Sequence, residues 1–166
     1  VSPGRSAAKH YRKIYKHISR KGIMPGLNLT RDEAIERAGI IKRVHTYRVD
    51  LDLRTDKDVF SSIVEIRFDA ETGAYTFIDA ITSQINSIEL NGEQLDPDLA
   101  DGERIALPNL AAQNVLKIDA EMFYTNTGEG LHRFVDPADG EIYLYSQFVV
   151  PDSRRVFPVF EQPDLK

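Results

Sequence analysis

The residues that could perform catalysis or bind a metal are scattered along this 166-residue chain. Its histidines are His10, His17, His45 and His132, and none lies in a His-Glu-x-x-His or similar helical spacing that would bring two ligands to one metal. Cysteine is absent, which excludes disulfides and thiolate metal sites. No Gly-x-Ser-x-Gly motif and no phosphate-binding glycine loop occur. We therefore expect no catalytic residues and no bound metal in this chain.

Unusual residues are concentrated in the last third of the chain. An arginine pair, a Phe-Pro and a Glu-x-Pro follow one another between Arg154 and Pro163. Residues 126–134 (NTGEGLHRF) and 143–147 (YLYSQ) precede them and contain glycines suited to turns and several aromatic rings. A β-strand requires none of these special residues, so the run predicts a surface that meets another part of the protein.

Alternation of apolar and polar residues predicts that most of the chain forms β-strands. The pattern is clearest in 44–54 and 59–69, which should pair as a hairpin. Asn91-Gly92 is a strong signal for a second hairpin. Further strands are expected at 75–79, 87–90, 93–95, 104–107, 114–124 and 141–150. Seven or eight short strands predict an all-β fold, either an antiparallel β-sandwich or a curved sheet.

Two short helices are expected before the strands. Thr30 and Glu33 fit a capping box, which predicts a helix to about Ala38 with Gly39 at its C-cap. Residues 9–20 have apolar side chains at helical spacing and predict a basic helix. We divide the chain into a basic N-terminal extension, 1–24, and a β domain, 25–166.

The charge distribution argues against nucleic acid as a partner. The net charge is −5, but residues 1–21 contain seven Lys or Arg and no acid, which leaves 22–166 with a balance of −12. Such an acidic body would repel phosphate. No apolar run approaches the length of a membrane helix, and no apolar stretch typical of a signal peptide follows the early basic residues. We expect no membrane partner and a cytoplasmic location, which the absence of cysteine fits.

The chain resembles the end of the first domain of aminopeptidase N-like enzymes, of the type found in high-GC Gram-positive bacteria. The resemblance covers about 25–166 and includes Asn28-Leu-Thr-Arg-Asp-Glu-Ala, Tyr47-x-Val-Asp-Leu-Asp-Leu and Phe77-Ile-Asp. Its densest part comprises Gly130-Leu131-His132, Tyr143, Tyr145, Gln147, Asp152-Ser-Arg154-Arg155, Phe157-Pro158, Glu161, Pro163 and Lys166.

The resemblance implies a saddle-shaped β domain packed against a separate catalytic domain. Family members remove amino-terminal residues from peptides with one zinc ion, which is held by two histidines of a His-Glu-x-x-His motif and a later glutamate. These elements are expected beyond Lys166. The implied partners are therefore the catalytic domain of the same polypeptide and peptide substrates, and this fragment alone is expected to be inactive and free of zinc.

The resemblance also assigns roles to individual residues. In the family, a Gln-x-Glu segment helps to hold the α-amine of the substrate, since an ammonium group needs oxygen acceptors. The glutamine position falls on Gln147 and the glutamate position on Val149, which has no acceptor. Contacts with the catalytic domain are expected from Arg154, Arg155, Phe157 and Glu161.

Two other interpretations remain open. The chain could be a stand-alone β-sandwich module that binds peptides without a catalytic partner. It could also be part of an inactive family member that serves as a peptide-binding scaffold, an interpretation that Val149 favours.

Overall fold

The computed structural model describes residues 28–54, 56–149 and 151–165. The basic extension 1–24 and the basic helix expected at 9–20 lie outside the described residues. These described ranges contain one α-helix and nine strands, in the order α1 (Arg31–Ile40), β1 (Ile41–Asp52), β2 (Val59–Ala70), β3 (Thr76–Asp79), β4 (Thr82–Leu90), β5 (Glu93–Gln94), β6 (Arg104–Leu107), β7 (Gln113–Phe123), β8 (Gly130–Val135) and β9 (Ile142–Gln147). Short 3₁₀ turns occur at Pro97–Leu99, Ser153–Arg155 and Pro163–Leu165.

The strands form antiparallel sheets, which confirms the all-β fold. Five strands make one sheet in the order β1-β2-β7-β4-β5, while β3 pairs with β6 and β8 pairs with β9. As expected, β1 and β2 form a hairpin, with Val49 opposite Val64. Asn91 and Gly92 connect β4 to β5 with φ angles of 54° and 84°. Two successive positive φ angles define the tight turn that this dipeptide favours.

One hydrophobic core lies between the five-stranded sheet and the smaller β3-β6 sheet. The sheet contributes alternate residues of β2 and β7, such as Ile66 and its partner Leu116. From the other side Ile78 and Leu107 enter the same cluster. Phe160, which follows the last strand, packs edge-on against Phe68 with ring centroids 5.3 Å apart. The segment after β9 therefore completes the core.

Helix α1 begins as predicted but ends later. The Thr30 hydroxyl accepts a hydrogen bond from the Glu33 amide at 3.3 Å, and the Glu33 carboxylate accepts one from the Thr30 amide at 2.9 Å. Gly39 is not the C-cap, because it lies inside the helix and Ile41 follows as the cap. Ile41 is also the first residue of β1, so the chain passes from helix to strand without the left-handed turn that would need a glycine.

The segment after residue 125 also differs from expectation. Strand β8 was not predicted, and β9 ends at Gln147 instead of continuing to 150. Gln147 is opposite Gly130, the first residue of β8, so the ladder has no further partner beyond that pair. The chain then turns, with the Asp152 amide donating to the Val149 carbonyl at 2.9 Å.

Removal of the Thr30 cap should lower stability measurably. We expect Thr30→Ala to reduce the free energy of unfolding by about 1 kcal/mol, because the amide of Glu33 loses its acceptor. Urea unfolding followed by circular dichroism measures the difference. Thr30→Ser keeps the hydroxyl and should stay close to the original stability. Equal losses in the two variants would contradict a capping role.

Candidate functional site

The β8-β9 hairpin presents one aromatic face to solvent. His132 and Phe134 of β8 lie opposite Tyr145 and Tyr143 of β9, so all four side chains share one face. The rings of His132 and Tyr145 stack with centroids 4.5 Å apart, and the Gly128 amide donates to Nδ1 of His132 at 3.0 Å. Phe134 and both tyrosines are exposed. We call these four residues the aromatic face.

Gln147 stands at the end of this hairpin, on the same side as the aromatic face. It is exposed, and its Cα partner across the ladder is Gly130. Within the described residues, its side-chain amide has no hydrogen-bond partner. The amide oxygen is therefore available to accept a hydrogen bond from a ligand.

The two residues after Gln147 extend the surface with apolar side chains. Phe148 is 46% exposed and Val149 is 61% exposed. The Phe148 ring contacts that of Phe157 edge-on, with centroids 6.2 Å apart, and Phe157 is half-buried. Exposed apolar side chains of this number on one part of a surface are typical of an interaction site. Val149 itself supplies two methyl groups where the resemblance leads one to expect a carboxylate.

Arg154 and Glu161 are buried inside this domain and bind groups of their own chain. Their exposed fractions are 3% and 4%. The Glu161 carboxylate accepts hydrogen bonds from the Ser153 hydroxyl at 2.5 Å and from the Arg154 amide at 2.9 Å. Burial lowers the pKa of the Arg154 guanidinium, and the nearby charge of Asp79 opposes this effect. An interdomain role for Arg154 and Glu161 stays a prediction. The contacts described here are ones that both residues make within this domain.

A buried charge cluster joins α1, β3 and the segment after β9. Asp79 Oδ2 lies 2.6 Å from Arg37 Nη1 and accepts the Glu161 amide at 3.1 Å. The Arg37 Nε donates to Gln162 Oε1 at 3.1 Å. Arg104 lies 3.8 Å from Asp79 Oδ1 and completes the cluster. We call Arg37, Asp79, Arg104, Glu161 and Gln162 the buried charge cluster.

Two further residues, Phe77 and Glu33, contact this cluster. Arg37 and Arg104 lie over the Phe77 ring at 4.8 and 4.2 Å from its centroid, a favourable position for a cation. Arg104 also binds Glu33 at 2.6 Å. Burial would raise the pKa of Glu33, but hydrogen bonds from Arg104 and Thr30 outweigh it and lower that pKa. Glu33 therefore both caps α1 and joins the helix to β6.

The buried charge cluster was not predicted as a unit from the sequence. Asp79 appeared there only within a strand motif, and Arg37 was not singled out at all. The one local signal is the position of Asp79 in β3, a strand in which three of the four residues are buried and Phe77 is half-buried. Arg155, by contrast, is partly exposed and pairs with Glu129 at 3.1 Å.

In residues 28–54, 56–149 and 151–165, no three His, Asp or Glu side chains lie close enough together to hold a metal ion. The helices within these ranges are too short and too polar to span a bilayer.

The fold is shared with solved aminopeptidase and hydrolase structures. Native yeast LTA4 hydrolase matches with a TM-score of 0.61 and 19% identity, over 75% of this chain and 21% of that chain. Legionella pneumophila aminopeptidase A in complex with aspartic acid matches with a TM-score of 0.56 and 12% identity, over 70% and 14%. At such identities the likeness shows the fold alone. No model of a known protein family matches the chain.

The sequence itself is similar to Aminopeptidase N of Streptomyces lividans. The two are 51% identical over 148 residues, which is 86% of this chain and 17% of that protein. The resemblance to aminopeptidase N-like enzymes is therefore confirmed, and the chain spans about a sixth of the relative's length.

Proposed function

We propose that the chain is the non-catalytic amino-terminal domain of a zinc-dependent aminopeptidase and that it helps to bind the α-amine of peptide substrates. The observation that carries the proposal is the exposed amide of Gln147 at the end of β9, which has no hydrogen-bond partner in the described part of the chain, within a sequence 51% identical to Aminopeptidase N over 148 residues. A protonated amine carries donors and no acceptor, so the Gln147 amide oxygen is a suitable partner.

The catalytic step takes place outside this domain. The described residues contain no candidate metal cluster, and we place the zinc in a catalytic domain of the same polypeptide. There it would supply an activated water for hydrolysis of the peptide bond. The contribution of this chain is to hold and orient the amino terminus of the substrate. The absence of cysteine supports a cytoplasmic location for the protein.

The catalytic domain would dock beside Gln147. The aromatic face, Phe148 and Val149 supply the exposed apolar area that such a contact requires. Arg155 and Phe157 lie at the border of this area, half-buried, and keep their proposed role in the contact. Docking would remove water from around the Gln147 amide and so strengthen its hydrogen bond to the substrate.

Replacement of Gln147 tests the proposal in the complete polypeptide. We expect Gln147→Ala to lower kcat/KM for alanine 4-nitroanilide about tenfold, since a hydrogen bond to a charged group contributes roughly 1.5 kcal/mol. Gln94→Ala, at another exposed glutamine on the short strand β5, is the matched control and should change nothing. Equal activity of the Gln147 variant and the original would contradict a role in amine binding.

Val149 favours a second candidate, an inactive relative that binds peptides without cleaving them. Its side chain is 61% exposed and offers no acceptor for the amine. The reading frame after Lys166 separates the candidates, because an active enzyme requires His-Glu-x-x-His with a downstream glutamate. Calorimetric binding of trialanine without turnover, lost when its amino terminus is acetylated, would support the inactive scaffold.

A further inference from the structure

Arg155 lies against the backbone that faces Gln147. Gly130 is the Cα partner of Gln147 in the β8-β9 ladder. A Cβ placed on Gly130 would come within 2.8 Å of Arg155 Cβ and 3.3 Å of Arg155 Cδ. The stem of the arginine is therefore packed directly on the Gly130 backbone, in the space that any other residue's side chain would fill.

Gly130 is suited to this contact in conformation as well as in size. Its φ angle is +64°, in the left-handed region that side chains with a Cβ disfavour. The glycine thus permits the chain to turn into β8 and permits Arg155 to approach. Both features fix the start of β8, which is the strand that holds Gln147 in place.

The Arg155 guanidinium links the residue before β8 to the turn that follows β9. It lies 3.1 Å from Glu129 Oε2, in the residue before Gly130, and its Nε donates to Asp152 Oδ1 at 3.4 Å. The Arg155 amide also donates to the Asp152 carbonyl at 3.1 Å, and the Asp152 amide donates to the Val149 carbonyl. A chain of contacts therefore runs from Val149 through Asp152 and Arg155 back to Glu129 and Gly130.

We propose that Arg155 is a positioning residue for Gln147, which holds the end of the β8-β9 hairpin against the 3₁₀ turn Ser153–Arg155 and so fixes the direction of the Gln147 amide. The inference rests on the proposed function, because it assigns to Arg155 the orientation of the group that binds the substrate amine. Arg155 touches no substrate itself. Its effect is transmitted through Gly130 and Glu129 to the first pair of the ladder.

A double-mutant cycle in the complete polypeptide tests the inference. We expect Arg155→Met to raise KM for alanine 4-nitroanilide about tenfold while kcat stays within about twofold, since misplacement of a binding group weakens substrate binding. In a Gln147→Ala background, Arg155→Met should not raise KM any further. Arg155→Lys keeps the stem and a charge, and should restore most of the loss. If the complete polypeptide has no peptidase activity, the Kd for trialanine is measured in place of KM.

Two controls separate positioning from general damage. Arg48→Met removes an exposed arginine that pairs with Asp50 on β1 and should leave KM unchanged. Glu129→Gln weakens the same contact from an exposed position and should raise KM in the same direction, so the inference remains testable even where Arg155→Met unfolds the domain.

The outcomes distinguish this inference from the proposed function. A rise in KM for Gln147→Ala with none for Arg155→Met or Glu129→Gln would overturn the inference and leave the proposed function standing. An equal rise for Arg155→Met with and without Gln147 would also overturn it. An unchanged KM for Gln147→Ala would overturn the proposed function and the inference together.

Discussion

Replacement of Asp79 by alanine should lower the free energy of unfolding by about 3–5 kcal/mol, the cost of removing one partner of a buried ion pair. Asp79 and Arg37 are each 1% exposed and lie 2.6 Å apart. Without the carboxylate, the Arg37 charge would remain buried, with the Gln162 amide oxygen and the rings of Phe77 and Phe160 beside it. The Glu161 amide would lose its acceptor as well.

Urea unfolding of this chain measures the loss, with Asp50→Ala as the matched control. Asp50 pairs with Arg48 on the exposed face of β1, where both side chains are more than half exposed. Such a surface pair contributes at most about 1 kcal/mol, so the free energy of unfolding of the control should stay close to that of the original protein. Asp79→Asn keeps an acceptor but loses the charge. Its loss in free energy of unfolding should lie between those of Asp79→Ala and Asp50→Ala. A loss below 1 kcal/mol for Asp79→Ala would contradict the importance of the buried charge cluster.

Introduction of a carboxylate at position 149 should strengthen the binding of free amino termini. We expect Val149→Glu in the complete polypeptide to lower KM for alanine 4-nitroanilide about tenfold to a hundredfold, since a charge-assisted contact contributes about 1.5–3 kcal/mol. Val149 is exposed and two residues beyond Gln147, so the new side chain can reach the same ligand without entering the core. The gain should shrink in 1 M salt, as expected for a screened charge pair.

Val135→Glu is the matched control for added negative charge. Val135 is an exposed valine of β8 that lies at the opposite end of the hairpin from Gln147. It should leave KM unchanged. If the two glutamates lowered KM equally, the effect would come from overall charge and not from a contact at the site. No gain at position 149 would place the amine-binding acid elsewhere.

Local patterns were sufficient to predict the helix and most strands. The alternation in β2 reflects a sheet with one buried face, and the Thr30–Glu33 capping box needs only neighbouring residues. Strand β8 escaped prediction because its alternate faces carry His132, Arg133, Phe134 and Val135, which give no contrast between polar and apolar sides. That hairpin lies largely on the surface, so burial does not impose a pattern on it.

The site was predictable only in part. Gln147 was identified through the resemblance, and the structure adds that it is exposed at the end of a strand. The buried charge cluster could not be read from periodicity, because charged residues on alternating strands usually face solvent. Asp79 meets Arg37 across 42 residues of sequence and the Glu161 amide across 82. Only the tertiary fold shows that the Asp79 carboxylate compensates the Arg37 charge.

The long-range contacts of the last described residues have a consequence for biosynthesis. Gln162 binds Arg37 across 125 residues of sequence, and Phe160 fills the core beside Phe68. On the ribosome, β1 and β2 can pair early. The contacts of Arg37 with Gln162 and of Asp79 with the Glu161 amide can form only after these late residues have left the exit tunnel. Folding of this domain should therefore finish only after its last segment has left the ribosome, and a nascent chain stalled before residue 160 should expose an open core to chaperones and proteases.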